Sequence, residues 1–163
     1  MGNPYQNILD TLSDSIVRAH NIRKGYMSED ATGQETALEI YEKMRLYRNG
    51  LDQLELILNA CIRLKAKVDV IKATKAGEVE DAEIKIVDTS AKAEKFQVAR
   101  DRNIDINAKT IAERKALRQI TEVAVEAQAA VDVVRNMHRG LDSAKRDLEV
   151  ALRAITVITS LER

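Results

Sequence analysis

Three sets of basic side chains have the spacing to hold phosphates. The first lies in residues 61–76, CIRLKAKVDVIKATKA, where Arg63, Lys65, Lys67, Lys72 and Lys75 face a single acid, Asp69. On a helix, Lys65, Lys72 and Lys75 fall roughly along one side, with Arg63 and Lys67 an adjacent i,i+4 pair. The second is AERKALRQ, with Arg114, Lys115 and Arg118 close together. The third is Arg139, Arg146 and Arg153, each seven residues from the next. Such rows suit a nucleic-acid backbone, because each cation that meets a phosphate releases a condensed counterion. The plainer reading is a solvated helix face, with Asp142, Asp147 and Glu149 near enough in sequence to pair with the arginines. Stacking of unpaired bases would need aromatic rings as well. Tyr5, Tyr26, Tyr41 and Tyr47 all lie in the first third of the chain, away from the two C-terminal basic sets. Tyr47 continues an apolar row. Tyr26, in a polar stretch between Lys24 and Met27, is the stacking candidate.

Other chemistry finds no support. GxxxxGK[ST], GxGxxG and GxSxG are all absent. Neither His20 nor His138 has a Glu three residues before it, so the Glu-x-x-His pairs of a di-iron bundle are missing. There is no Cys/His cluster for zinc. Cys61 is the only cysteine, which excludes an intrachain disulfide. It reads as a small buried hydrophobe in a reducing, cytoplasmic setting. The expectation is a non-catalytic protein with no metal and no cofactor. No run of about 18 apolar residues could cross a membrane. The opening MGNPYQNILD lacks the basic and apolar regions of a signal peptide, and Gln6 argues against myristoylation at Gly2.

The elements that would carry these rows follow from composition and period. A chain of 163 residues is expected to form one domain. It has no Trp, one Phe and one Pro, and 32% of its residues are charged. Helix formers around an aliphatic core point to long helices. Twenty-six basic residues balance 26 acidic ones, so any attraction to a polyanion has to come from a local patch.

Pro4 suits a first helical turn, and Ile8, Leu9, Leu12, Ile16 and Ala19 predict a short helix over about 5–23. The glycines and polar residues that follow predict a loop over about 24–34. Thr36 and Glu39 form a capping-box pattern that opens a long helix over about 36–76. Its apolar row is Ile40, Met44, Tyr47, Leu51, Leu54, Leu58 and Cys61, widened by Ile57, Leu64, Val68 and Ile71. The pattern fades at Gly77, where a hinge or helix end is expected. Residues 78–110 read as weak helix with an irregular joint near 101–108. Residues 111–161 form the clearest helix. Ile120, Ala127, Val134, Leu141, Leu148 and Ile155 recur every seven residues, with Val123, Ala130, Met137, Ala144, Ala151 and Ile158 between them. Arg139, Arg146 and Arg153 occupy the position opposite that seam.

The fold expected is therefore all-α: long antiparallel helices forming a hairpin or bundle. The breadth of the apolar faces predicts a homo-oligomer, assembled through Ile120, Val123, Val134, Leu141, Leu148 and Ile155. The order of a short helix, a Tyr- and Leu-bearing helix running into LKAKVDVIKATKAG, and a long closing helix from KTIAERKALRQITEV onward resembles the UvsY-like recombination mediators of T-even-type phages. That resemblance implies a small helical oligomer in the host-cell cytoplasm. It would bind single-stranded DNA and help a recombinase displace single-strand-binding protein. It places the phosphate contacts on Arg63, Lys65, Lys67, Lys72 and Lys75. The rival expectation is a coiled-coil scaffold or adaptor that never touches DNA.

Overall fold

A computed structural model describes residues 3–26, 36–92, 106–108 and 110–161. The described residues are almost wholly helical: α1 spans Gln6–Tyr26, α2 Ala37–Lys92 and α3 Ile111–Leu161. The architecture is an all-α helical bundle. The chain packs as two compact units, Met1–Leu9 with Leu64–Gln128, and Asp10–Arg63 with Ala129–Arg163.

Helix ends follow local chemistry. The Asn3 side chain accepts a hydrogen bond from the Tyr5 amide at 3.0 Å, which caps the start of α1 around Pro4. Thr36 and Glu39 close the expected box at α2. The Thr36 amide and hydroxyl donate to Glu39 Oε2 at 2.7 and 2.8 Å, and the Glu39 amide donates back to Thr36 Oγ1 at 3.4 Å. The Thr36 amide, then its hydroxyl, holds the Glu39 carboxyl below its ordinary value of 4.5. A lowered acid contributes stability that is present above the unfolded value and lost as pH falls through the folded one. Urea unfolding at about pH 7 and about pH 3 should thus show an acid loss in the native chain. Glu39→Gln, which keeps the box but does not titrate, should show a smaller one. Equal losses in both would remove Glu39 from the acid limb.

In the second unit, α1 and α3 both run antiparallel to α2. Tyr26 meets Gly50 and Gln53, while Ser15 hydrogen-bonds Cys61. Gly50 also faces Leu141, and Tyr41–Arg48 line a groove with Lys145 and Glu149. The core joins Ala19, Ile40, Tyr47, Leu54, Ile57 and Cys61 to Val131, Val134, Met137, Leu141 and Leu148. Burial pushes the Cys61 thiol up, against the Ser15 hydrogen bond. In the first unit, Tyr5, Ile8 and Leu9 pack with Val68, Ile71, Leu117, Ile120, Val123 and Ala124.

Four expectations are revised. α2 runs unbroken through Gly77 to Lys92, so no helix end falls there and 78–92 belong to the same helix. Gly77 is exposed with open space around it, so its cost is one of propensity only. Residues 106–108 form a helical turn, and the Thr110 amide and hydroxyl both donate to the Ile106 carbonyl at 3.0 and 2.8 Å. The rest of the expected joint, and Phe96, lie outside the described residues.

Tyr26 is the last residue of α1, not a loop residue. Its ring packs where a Cβ on Gly50 would sit 2.7 Å away, and its hydroxyl accepts from Gln53 Nε2 at 3.2 Å. It is half-buried and packed against the core, not the expected exposed loop ring. The proposed oligomer seam is likewise filled by the chain itself. Ile120 and Val123 are 0% and 1% exposed in the core of the first unit; Val134, Leu141 and Leu148 are 0%, 0% and 7% exposed in that of the second, against which Ile155 packs. α3 buries Ala124 and Val131 as well, because two helices flank it rather than one. Only at its end does the seam reach solvent, at Ile158, which is 56% exposed.

Candidate nucleic-acid interface

The basic sets meet different fates. In the first unit, Lys65 pairs with Asp69, and Lys75 with Glu78 at 2.6 Å. Hydrogen bonding to Glu78 holds the Lys75 ammonium above its ordinary value. Arg114 reaches across from α3 to Glu83 of α2 at 2.7 Å, and Arg118 pairs with Glu122 at 3.3 Å. Lys67, Lys72 and Lys115 have no ion-pair partner among the described residues. Two of the five cations of the stretch that looked most basic, Lys65 and Lys75, are thus neutralised by neighbours three or four residues on, the ordinary behaviour of a helix surface. Exposed pairs of this kind contribute about 0–1 kcal/mol each. They also weaken the attraction to an external phosphate.

The second unit is different. Arg63 of α2 and Arg139 of α3 are exposed with no ion-pair partner among the described residues. Arg146 pairs with Asp142 at 2.7 Å but remains 73% exposed. The field of the row reaches inward to Glu149. The Lys145 hydrogen bond at 2.9 Å, then the charges of Lys145, Arg153 and Arg146, hold the Glu149 carboxyl below its usual range.

Opposite Lys145 and Glu149 stand residues of α2 that the sequence reading passed over. Tyr41, Met44, Arg45 and Arg48 line the other wall of an open groove of about 250 Å³. Arg45 and Arg48 are exposed, one turn apart, and have no acid partner among the described residues. Tyr41 is 63% exposed.

The helical period places this groove relative to α1. On α3, Gly140 faces Arg23 of α1, whose Nη2 would lie 4.0 Å from a Cβ there. Lys145 and Glu149 lie about 40° and 80° round from Leu141 in the opposite sense, and the three arginines about 120–160°. On α2, Tyr41 and Arg48 lie about 160–180° from Gly50, the residue that faces Tyr26. The groove therefore lies on the side of the α2–α3 pair that α1 leaves open, while the arginine row points outward from α3. The groove itself brings together three cations, Arg45, Arg48 and Lys145, against the carboxylate of Glu149. In a neutral chain this is a locally basic groove, although Asp52 and Glu55 share the outer side of α2 with its two arginines. The row Tyr41, Arg45, Arg48 follows i, i+4, i+7 beside the apolar seam. It could be found from sequence only by asking what the antiparallel register sets against Lys145.

Among the described residues, no three His, Cys, Asp or Glu side chains gather as metal ligands, and no helix is long and apolar enough to cross a membrane. No family model matches the chain, and neither a curated protein nor a solved structure shows significant similarity to it.

Proposed function

We propose that the protein is a non-catalytic, single-stranded-DNA-binding accessory factor of the recombination-mediator type. The observation that supports this reading is the meeting of Arg45 and Arg48 of α2 with Lys145 of α3 at one groove beside the exposed Tyr41 ring. A groove of this kind neutralises a phosphate backbone without reading its sequence. The strand would then be held for a recombinase, in competition with single-strand-binding protein. If several copies assemble, their faces add through multivalency even when each is weak. The proposal shifts the weight of phosphate contact from residues 63–75 to the α2–α3 groove, because Arg45 and Arg48 stand there one turn apart without an acid partner among the described residues and beside an exposed ring.

Anisotropy of labelled oligo-dT at about 50 and 200 mM salt tests it. The native chain should bind at the lower salt and weaken strongly at the higher. Arg45→Ala/Arg48→Ala should lower the slope of log affinity against log salt by about 1.4, two single-strand phosphate contacts' worth. Lys65→Ala/Lys67→Ala/Lys72→Ala should lower it less than three contacts would require. No binding at the lower salt would leave the second reading, a helical scaffold or adaptor. The internal pairing of Lys65, Lys75, Arg114 and Arg118 favours that alternative.

A further inference from the structure

We propose that the α2–α3 groove seats one nucleotide of the strand, with its base on the Tyr41 ring and its phosphate on Arg45 and Arg48. This rests on the single-strand reading above and deepens it from a charged face to a built subsite.

Three features of the groove select this ligand. Tyr41 belongs to a chain with 3% aromatic residues, yet its ring is kept out of the core and left 63% exposed at the groove wall. A planar partner is what such a surface accepts, and every base has a π-face to offer. Met44 packs against the core from the same helix and gives the groove an apolar, polarizable wall. Arg45 and Arg48, one turn apart, offer guanidinium donors that match phosphate oxygens in pairs. A purely apolar ligand would leave both arginines without a partner, and a simple anion would leave the ring unused. The open groove, of about 250 Å³, has room for a base beside the two guanidinium groups. Lys145 is held by Glu149 at 2.9 Å, which leaves the two α2 arginines as the free cations of the groove itself.

The test uses the full chain and two labelled strands of equal length, oligo-dT and an abasic deoxyribose-phosphate oligomer, at about 50 mM salt. The native protein should prefer the base-bearing strand by about tenfold or more. Tyr41→Ala should remove that preference by weakening oligo-dT alone, while Tyr41→Phe, which keeps the ring, should retain it. Tyr41 is largely solvent-exposed, so both variants keep the core intact. Arg45→Ala/Arg48→Ala should weaken both strands alike. Equal affinity of the native chain for the two strands, or equal weakening of both by Tyr41→Ala, would overturn the stacking subsite. The backbone-binding function would then stand on its salt slope. Failure of both strands to bind would overturn both readings.

Discussion

Replacing Leu141 by Ala is expected to destabilise the protein by about 2–5 kcal/mol. Leu141 is 0% exposed and belongs to a core built from all three helices of its unit, with Leu54, Tyr47 and Ala19 in the same cluster. Truncation removes three heavy atoms from contact and leaves a void that the rigid α2–α3 pair closes only in part. A total stability of about 5–15 kcal/mol makes this a large fraction of the whole. The measurement is urea unfolding followed by circular dichroism, repeated at two protein concentrations an order of magnitude apart. The lost contacts lie within one chain, so the substitution should shift the midpoint equally at both. A shift that grows on dilution would put Leu141 at a subunit interface. A loss below about 1 kcal/mol would remove it from the core.

Gly50→Ala and Gly77→Ala should move stability in opposite directions, although both glycines lie inside α2. Helix propensity alone favours Ala by about 1 kcal/mol at either position. At Gly77 nothing lies within 4 Å of an added Cβ, so that gain should appear almost undiminished. At Gly50 the same atom would sit 2.7 Å from Tyr26 Cδ2 and 2.9 Å from Leu141 Cδ2. Overpacking of this kind costs about 1–3 kcal/mol, which exceeds the propensity gain and gives a net loss of up to about 2 kcal/mol. The Tyr26 ring is tied at its far end, where its hydroxyl accepts from Gln53 Nε2. Leu141→Ala should relieve one of the two clashes. Gly50→Ala should therefore cost less in that background, a coupling between neighbours that a double-mutant cycle reads directly. Thermal unfolding of the four chains decides it. Stabilisation by Gly50→Ala in the native background would mean that Tyr26 does not pack on Gly50.

The capping box at Thr36 and the seven-residue seam of α3 were legible in the sequence because each is a local pattern with one physical solution. Thr36 and Glu39 find each other across three residues whatever else the chain does. The seam from Ile120 to Leu148 is buried because a helix with that period must hide that side. Which partner hides it was not legible. The same row serves an oligomer or a bundle, and α1 and α2 of the same chain cover it here. Gly77 misled for a related reason. One glycine costs about 1 kcal/mol, too little to end a helix whose flanking turns pair Lys75 with Glu78 and carry Val79 and Ala82 onward. Tyr26 misled because a polar neighbourhood suggested a loop, whereas a missing side chain at Gly50, 24 residues away, made room for its ring.

The sequence by itself determined that this chain is helical, where two of its helices begin, which rows turn inward, and that any attraction to a polyanion must be local. These are consequences of spacing along one helix, and spacing is all a sequence records. Only the tertiary structure decided which cations remain available. Lys65, Lys75 and Arg118 meet acids on their own helices and Arg114 meets one on another, while Arg45 and Arg48 come to stand opposite Lys145 across a groove. Charge is a property of a residue, but a charged face is a property of the register between helices. That register is set by core side chains such as Leu54 and Leu141, far from any cation that it brings together.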